Sequence, residues 1–193
     1  MRNEFFDFGK IKFAYWEPFQ DTERRFEIPL LKYFIDKFKD HDDLMEVGAV
    51  SNWHFPVNHK IYDASERYVI NEFAENLKYS GKIVVSISTI EHIGKPDYGF
   101  PINPYRALTV LNMMLEAKYY LITWPIGHNT LLDYYARNVV TGVTIGNVIT
   151  VGRLDIDNNW VVNKPNFYDY KYATPFPVGN GVIVITNIEE LLP

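Results

Sequence analysis

Apolar and polar positions follow two different patterns along the chain, and the change between them falls near Thr141. In residues 21–40, apolar side chains recur at helical spacing, so this stretch predicts a helix with one apolar face. Pro29 lies inside the stretch, and proline removes a backbone donor from a helix. The pattern therefore predicts a helix that either starts near Ile28 or is kinked there.

Continuous apolar runs predict the strands. The clearest is "GKIVVSIS" at 81–88, whose β-branched residues lack alternation and suit a central parallel strand covered on both faces. "KYYLITWPI" at 118–126 predicts another buried strand. Shorter runs predict three more: "DLMEVG" at 43–48, "HKIYD" at 59–63 and "RYVIN" at 67–71.

An amphipathic stretch at 103–117 predicts a helix between the two clearest strands, with Asn103 as its N-cap and Pro104 at its first position. Strands and helices thus alternate as far as residue 129. This alternation is typical of an α/β protein with a Rossmann-like, doubly wound and mostly parallel sheet.

After Thr141 the chain is rich in β-branched residues, with turn-forming residues at 155–159 and a last strand after a Pro/Gly turn. No long helical pattern separates these runs, so we expect an antiparallel addition at one edge of the sheet. Without a linker or internal repeat, the chain reads as one domain, 1–193. Its parts are a helical lead-in at 1–42, a core at 43–129 and a β-rich part at 130–193.

Composition narrows the functional classes. Of 193 residues, 47% are apolar and 22% charged, which favours a folded domain over disorder. The absence of cysteine excludes disulfides and thiolate metal sites. The net charge of −5 gives the protein no overall electrostatic attraction for nucleic acid. The first residues do not resemble a signal peptide, and no apolar run reaches membrane-spanning length, so we expect a cytoplasmic protein without membrane partners.

Four residues fall at the carboxyl ends of predicted parallel strands, where ligands of such sheets bind: Gly48, Asp63, Ser88 and Gly127. A dinucleotide loop needs three glycines to approach a pyrophosphate and to pack its helix, whereas "EVGAVSNW" has one. Binding of NAD or FAD is therefore disfavoured.

S-adenosyl-L-methionine has no phosphate, so a loop that binds it needs fewer glycines. It needs one close backbone approach, which Gly48 offers, and an acid after the second strand for its ribose hydroxyls, which Asp63 offers. Glu46 would help to orient the amino-acid end. The core at 43–129 is therefore a candidate cofactor-binding unit.

"KIVVSISTIEHIG" resembles the fourth strand and following turn of class I S-adenosylmethionine-dependent methyltransferases, where an acid–His pair often follows the strand. Together with "EVGAVSNW", "NHKIYDASE" and "WPIGHN", the chain resembles a divergent group of that superfamily from about Glu23 to Asn129. The resemblance implies a seven-stranded sheet whose last strand is antiparallel and inserted near the edge.

The resemblance also implies a place for the adenine. Glu72 or Asn71 would lie near the adenine amino group, with Phe73 against the ring, and Ser88 would border the cofactor. The tetrapeptide of amino-directed DNA methyltransferases is absent, because "SIST" stands in its place. The sequence therefore argues against base methylation of that kind.

Methyl transfer to a hydroxyl needs alignment and a base. His92 and His128 are the candidate bases, and Glu91 would orient His92 or contact substrate; a capping or structural role for these residues is the alternative. Asn52, Trp53, Tyr98 and Asp133 are further candidates for the pocket, although packing explains them as well.

The spacing of His54, His59 and Asp63 matches no strong metal motif, so no metal site is expected. A Gly-x-Ser-x-Gly elbow and a phosphate-binding Gly-Lys-Ser/Thr loop are both absent, which argues against hydrolases and NTPases.

Two hypotheses remain. The first is an S-adenosylmethionine-dependent methyltransferase, with a hydroxyl of a glycan or small molecule as the preferred acceptor. The second is a protein that keeps this fold but has lost the cofactor and serves as a binding or scaffolding module. Trp53 or Phe55 filling the adenosyl pocket would support the second hypothesis, and an open pocket would count against it.

Overall fold

The apolar runs of the chain build one mixed seven-stranded sheet and a separate two-stranded hairpin in the computed structural model. The structure describes residues 3–18, 21–99, 101–140, 147–162 and 170–193. The strands are β1 Phe5–Phe8, β2 Ile11–Ala14, β3 Leu44–Val47, β4 Lys60–Tyr62, β5 Ile83–Ile87, β6 Tyr119–Pro125, β7 Asn147–Arg153, β8 Trp160–Val162 and β9 Gly181–Thr186. The α-helices are α1 Arg24–Phe38, α2 Tyr105–Met114 and α3 Thr130–Tyr135.

The large sheet has the strand order β4-β3-β5-β6-β9-β7-β8. The first four strands are parallel, which confirms an α/β fold with a parallel centre. The last strand, β9, runs antiparallel between β6 and β7, and β8 is antiparallel to β7. The C-terminal strands are therefore antiparallel as expected, but β9 is inserted inside the sheet. Residues 141–146, part of the β-rich stretch, lie outside the described residues.

Both faces of the sheet are covered, which explains why its central strands lack alternation. One face packs against α1 and the hairpin, with Val85 of β5 and Leu121 of β6 pointing into that core. The other face packs α2 and the turn around α3 against Val84 and Ile122 of the same strands. No helix among the described residues has the length and apolar character needed to cross a bilayer.

Helix α1 begins at Arg24 and continues through Pro29, so the expected start near Ile28 is wrong. Because Pro29 has no N–H, the Arg25 carbonyl lacks its usual partner four residues on. The Trp16 backbone N–H donates to that carbonyl instead, at 2.8 Å. A residue outside the helix thus satisfies the group that the proline leaves open.

Three other predicted local features differ from those in the structure. "RYVIN" is not a strand, since only Ile70 forms a single parallel bridge, to Tyr62. Helix α2 starts at Tyr105, one residue beyond the expected start, although the Asn103 side chain does accept from the Tyr105 N–H at 3.1 Å. The hairpin of β1 and β2 precedes α1, where the pattern predicted only a helical lead-in.

Candidate functional site

A solvent-open cleft lies at the carboxyl ends of β3, β4 and β5, the edge where parallel sheets bind ligands. Its empty space is about 890 Å³, including the solvent at its mouth. Of the residues expected at a cofactor or catalytic site, six line this cleft: Gly48, Asp63, Glu72, Phe73, Ser88 and His92.

Gly48 directly follows β3 and lies in the left-handed region, at φ +91°. A Cβ atom there would come within 2.0 Å of the Thr89 hydroxyl oxygen. The missing side chain therefore makes room for Thr89 from the turn after β5, as well as leaving backbone at the cleft wall. The sequence identified the glycine, but the neighbour that requires it is 41 residues away, and no local pattern shows it.

The Asp63 carboxylate holds two loops in place. Its Oδ1 accepts from the Ser65 N–H at 2.8 Å, the Ser65 hydroxyl at 2.7 Å and the Glu66 N–H at 3.1 Å. Its Oδ2 accepts from the Ala49 N–H at 3.0 Å. A carboxylate oxygen can accept about two hydrogen bonds. Oδ2 therefore keeps acceptor capacity toward a ligand, whereas Oδ1 is saturated by its own loop.

An aromatic ring and an ion pair form the outer wall of the cleft. Phe73 has 37% of its surface exposed, and the Arg106 guanidinium lies 5.4 Å from its ring centre. Arg106 is also paired with Glu75. Glu72 accepts from Asn76 at 2.7 Å and from the Phe73 N–H at 2.9 Å, and these bonds lower its pKa.

Arg24 is a cleft residue that the sequence pattern did not identify, because it reads as part of a solvated helix face. Its Nη1 donates to the Ile87 carbonyl at 3.3 Å and faces Glu27 Oε2 at 3.4 Å. Glu27 is fully buried, and its Oε1 also accepts from the hydroxyls of Ser88 at 2.8 Å and Thr123 at 2.6 Å. The Ser88 hydroxyl is thus engaged with Glu27, while the residue itself holds a strained φ of 40° at the cleft.

Glu46 does not line the cleft. Its buried carboxylate accepts from the N–H groups of Val50 and Ser51, at 3.0 and 2.8 Å, and from the Ser51 hydroxyl. His59 Nε2 lies 2.8 Å from the same carboxylate. Glu46 therefore anchors the loop after β3 through its carboxylate oxygens, and its expected contact with the amino-acid end of a cofactor stays a prediction.

His92 stands in the turn after β5 with a carboxylate near each ring nitrogen. Its Nδ1 is 2.7 Å from Asp97 Oδ2, and its Nε2 is 3.7 Å from Glu91 Oε1. Burial raises the pKa of Glu91 well above its ordinary value, with the nearby Glu27 charge adding to the effect. Glu91 Oε2 has no hydrogen-bond partner among the described residues. Sequence reasoning missed Asp97, whose contact with His92 depends on the intervening turn.

His128 lies outside the cleft lining but close behind His92, with 4.5 Å between the two ring centres. Lys95 Nζ contacts its Nδ1 at 3.3 Å and donates to its backbone carbonyl. Burial, followed by the charges of His92 and Lys95, lowers the pKa of His128 to about 4.

Side chains from α3 and its N-cap residue fix the loop that carries His128. Asp133 accepts from the Gly127 N–H at 2.8 Å and from Trp124 Nε1 at 3.0 Å. Asn129 caps α3 by accepting from the Leu132 N–H, and it donates to the Glu91 carbonyl at 3.3 Å. Asp133 therefore has a structural role here, and the turns after β5 and β6 are tied together.

Other predicted residues lie elsewhere. Trp53 is 61% exposed, and neither it nor Asn52 lines the cleft. His54 packs edge-on against Trp16, and Asn71 donates to the Ala64 carbonyl at 2.8 Å. The side chain of Tyr98 lies outside the described part of the chain.

No protein-family model, no curated protein and no solved structure matches the chain.

Proposed function

We propose that the chain is an S-adenosylmethionine-dependent methyltransferase of the class I type. One observation carries the proposal: a single open cleft collects Gly48, Asp63 and Phe73, which were assigned separately to the amino-acid, ribose and adenine parts of this cofactor. The cleft also lies beyond the carboxyl ends of parallel strands, the usual place for such a ligand.

The topology of the sheet supports the same proposal. The sequence resemblance implies a seven-stranded sheet whose last strand is antiparallel and inserted near the edge. Strand β9 lies antiparallel between β6 and β7, in a sheet of seven strands. Strand order alone does not fix an activity, so the cleft chemistry remains the main argument.

The cleft offers a suitable group to each part of the cofactor. Asp63 Oδ2 keeps acceptor capacity for a ribose hydroxyl, and the half-exposed Phe73 ring offers a face for the adenine. Arg24 places a guanidinium at the inner wall, where it would neutralise the carboxylate of the methionine part. A cofactor without phosphates does not require the glycine-rich loop that this chain lacks.

His92 is the candidate base because it is the one expected catalytic residue in the cleft lining. When bound, the cofactor would supply an activated methyl group, which would pass to the acceptor oxygen and leave S-adenosylhomocysteine behind. His92 would take the proton that the acceptor hydroxyl loses. Glu91 and His128 adjoin His92 behind the cleft and would act through it. A hydroxyl of a glycan or small molecule is the proposed acceptor.

The scaffolding alternative expects the adenosyl position to be filled by protein. Neither Trp53 nor Phe55 lines the cleft, and Phe55 packs against Trp16 instead, with 6.4 Å between the ring centres. The open cleft therefore counts against the scaffolding alternative.

Calorimetric titration with S-adenosylhomocysteine tests the proposal. We expect micromolar binding to the wild type. Phe73→Ala should weaken it by about 5- to 150-fold, since stacking of a base on an aromatic ring contributes about 1–3 kcal/mol. Tyr68→Ala is the matched control, because Tyr68 is an exposed aromatic of the same segment that does not line the cleft.

The wild type decides the outcome. Absence of binding at millimolar S-adenosylhomocysteine would overturn the proposal and leave the scaffolding alternative. Equal loss of affinity in Phe73→Ala and Tyr68→Ala would also contradict it, because the aromatic of the cleft would then have no specific part in binding.

A further inference from the structure

We propose that His92, Asp97 and His128 form a binding site for a divalent transition-metal ion, of which Zn²⁺ is the simplest example. The site adjoins the cleft through His92. This inference does not depend on methyl transfer, because it concerns only side chains of this chain and an ion. It differs from the prediction from the sequence, in which the spacing of His54, His59 and Asp63 matches no strong metal motif and no metal is expected.

The donor set and its spacing suggest the ion. One ligand atom from each of the three residues lies within 4.8 Å of the other two, and this is the one such group among the described residues. Two imidazoles and a carboxylate are donors that suit Zn²⁺ and neighbouring first-row ions. Three protein ligands also leave coordination positions open, as in catalytic rather than structural sites.

Glu91 supplies an independent observation. A metal-bound histidine commonly donates its second ring N–H to a carboxylate, which fixes the orientation of the ring. If His92 binds through Nδ1, the atom next to Asp97, its Nε2 faces Glu91 Oε1 at 3.7 Å. Glu91 is 1% exposed, and its Oε2 has no partner among the described residues. A buried carboxyl group behind the histidine is one of the arrangements that orient a metal-bound imidazole.

The His128 side of the site is held rigid. Its loop is fixed by Asp133 and Asn129, and the Tyr172 ring packs edge-on against the imidazole with 5.0 Å between centres. The two histidines come from turns that follow adjacent parallel strands, β5 and β6. The ligands therefore need little rearrangement to converge on an ion.

Lys95 occupies part of the same space. Its ammonium contacts His128 Nδ1 at 3.3 Å and has a second acceptor in the His128 carbonyl. A cation bound by the three ligands and an ammonium on the same imidazole repel each other. Lys95 is therefore a competitor of the ion, and removing its charge should tighten metal binding.

An ion at this position would bear on the chemistry of the cleft. A metal-bound hydroxyl or water is a much stronger acid than the free group. This consequence, unlike the site itself, rests on the proposed function: the ion would take over from His92 the task of promoting loss of the acceptor proton, and His92 would serve as its ligand.

The experiment is titration of the purified chain with Zn²⁺ alone, with Co²⁺ absorption as a second readout. We expect micromolar affinity in the wild type. His92→Ala, Asp97→Ala and His128→Ala should each weaken binding at least tenfold, and Glu91→Gln by about tenfold, as for residues behind metal ligands. His41→Ala is the control, since His41 is an exposed histidine outside this group.

Lys95→Met keeps the result interpretable if a ligand variant fails to fold, because a gain in affinity cannot come from unfolding. We expect it to bind Zn²⁺ more tightly than the wild type by several-fold or more. No binding by either protein, or equal affinity in the wild type and all three ligand variants, would overturn the proposal. Binding of Zn²⁺ without binding of S-adenosylhomocysteine would support this site and contradict the methyltransferase proposal alone.

Discussion

Glu27 is a buried carboxyl group whose ionisation costs stability. Burial raises its pKa above the ordinary value of 4.5, Arg24 partly offsets this, and Glu23 adds to it. The native protein therefore holds this proton to a higher pH than the unfolded chain does. Its contribution to stability is complete below about pH 4.5 and is lost as the pH rises through the native pKa.

We therefore expect Glu27→Gln to gain stability relative to the wild type as the pH rises above 4.5. The free energy of unfolding of both proteins in urea, measured between pH 4.5 and 8, checks this. Glu116→Gln, at an exposed position, is the control and should follow the wild type. A constant difference between Glu27→Gln and the wild type across this range would show that Glu27 does not titrate differently on folding.

Gly48→Ala should destabilise the fold by about 2–4 kcal/mol, from the left-handed backbone and the clash with Thr89 together. The double variant Gly48→Ala/Thr89→Gly removes the clash but keeps the backbone strain. We expect its loss of unfolding free energy to be smaller than the sum of the losses in the two single variants, as measured by a double-mutant cycle in urea. Additive effects would mean that the two residues do not interact.

The turn between β6 and α3 depends on one carboxylate. Asp133→Ala leaves the half-buried Gly127 N–H and the buried Trp124 Nε1 without their acceptor, and an unsatisfied buried donor costs about 1–3 kcal/mol. We expect a loss of about 2–5 kcal/mol in unfolding free energy and faster exchange of the Gly127 amide. Thr130→Ala, in the same helix but exposed, should change both much less.

Secondary structure was predictable where the burial of an element shows directly in its pattern of apolar residues. Strands β5 and β6 are buried on both faces, so their sequences are continuously apolar. The start of α1 was not predictable from the helix itself. Pro29 leaves the Arg25 carbonyl without a helical partner, and the N–H that satisfies it comes from Trp16, outside the helix. "RYVIN" has apolar residues but little to bury them, as Tyr68 is 86% exposed, and its pattern therefore misled.

The candidate site was predictable in part. Residues at strand ends, such as Gly48 and Asp63, meet in the cleft because parallel strands place their carboxyl ends together. Arg24 reaches the Ile87 carbonyl through tertiary packing, and Asp97 reaches His92 through the conformation of the turn between them. Neither residue belongs to a motif that the sequence shows. The role of Glu46 also needed the structure, since a loop anchor and a ligand contact look alike in sequence.

The sheet as a whole depends on its last strand. Strand β9 bonds to both β6 and β7, and all six of its residues are buried. We expect a chain ending at residue 180 to lack a cooperative unfolding transition by circular dichroism. Removal of the exposed Pro193 alone should leave the transition near that of the wild type. A cooperative transition in the shorter chain would mean that β6 and β7 can pair without β9.

The position of β9 has a consequence for synthesis on the ribosome. Strand β6 ends at Pro125, and its antiparallel neighbour begins only at Gly181. At about 5–20 residues per second, the nascent chain spends roughly 3–11 s with an apolar, unpaired β6 edge. Such an edge can pair with other chains. Ribosome stalling in this interval should therefore yield aggregated rather than partly folded products.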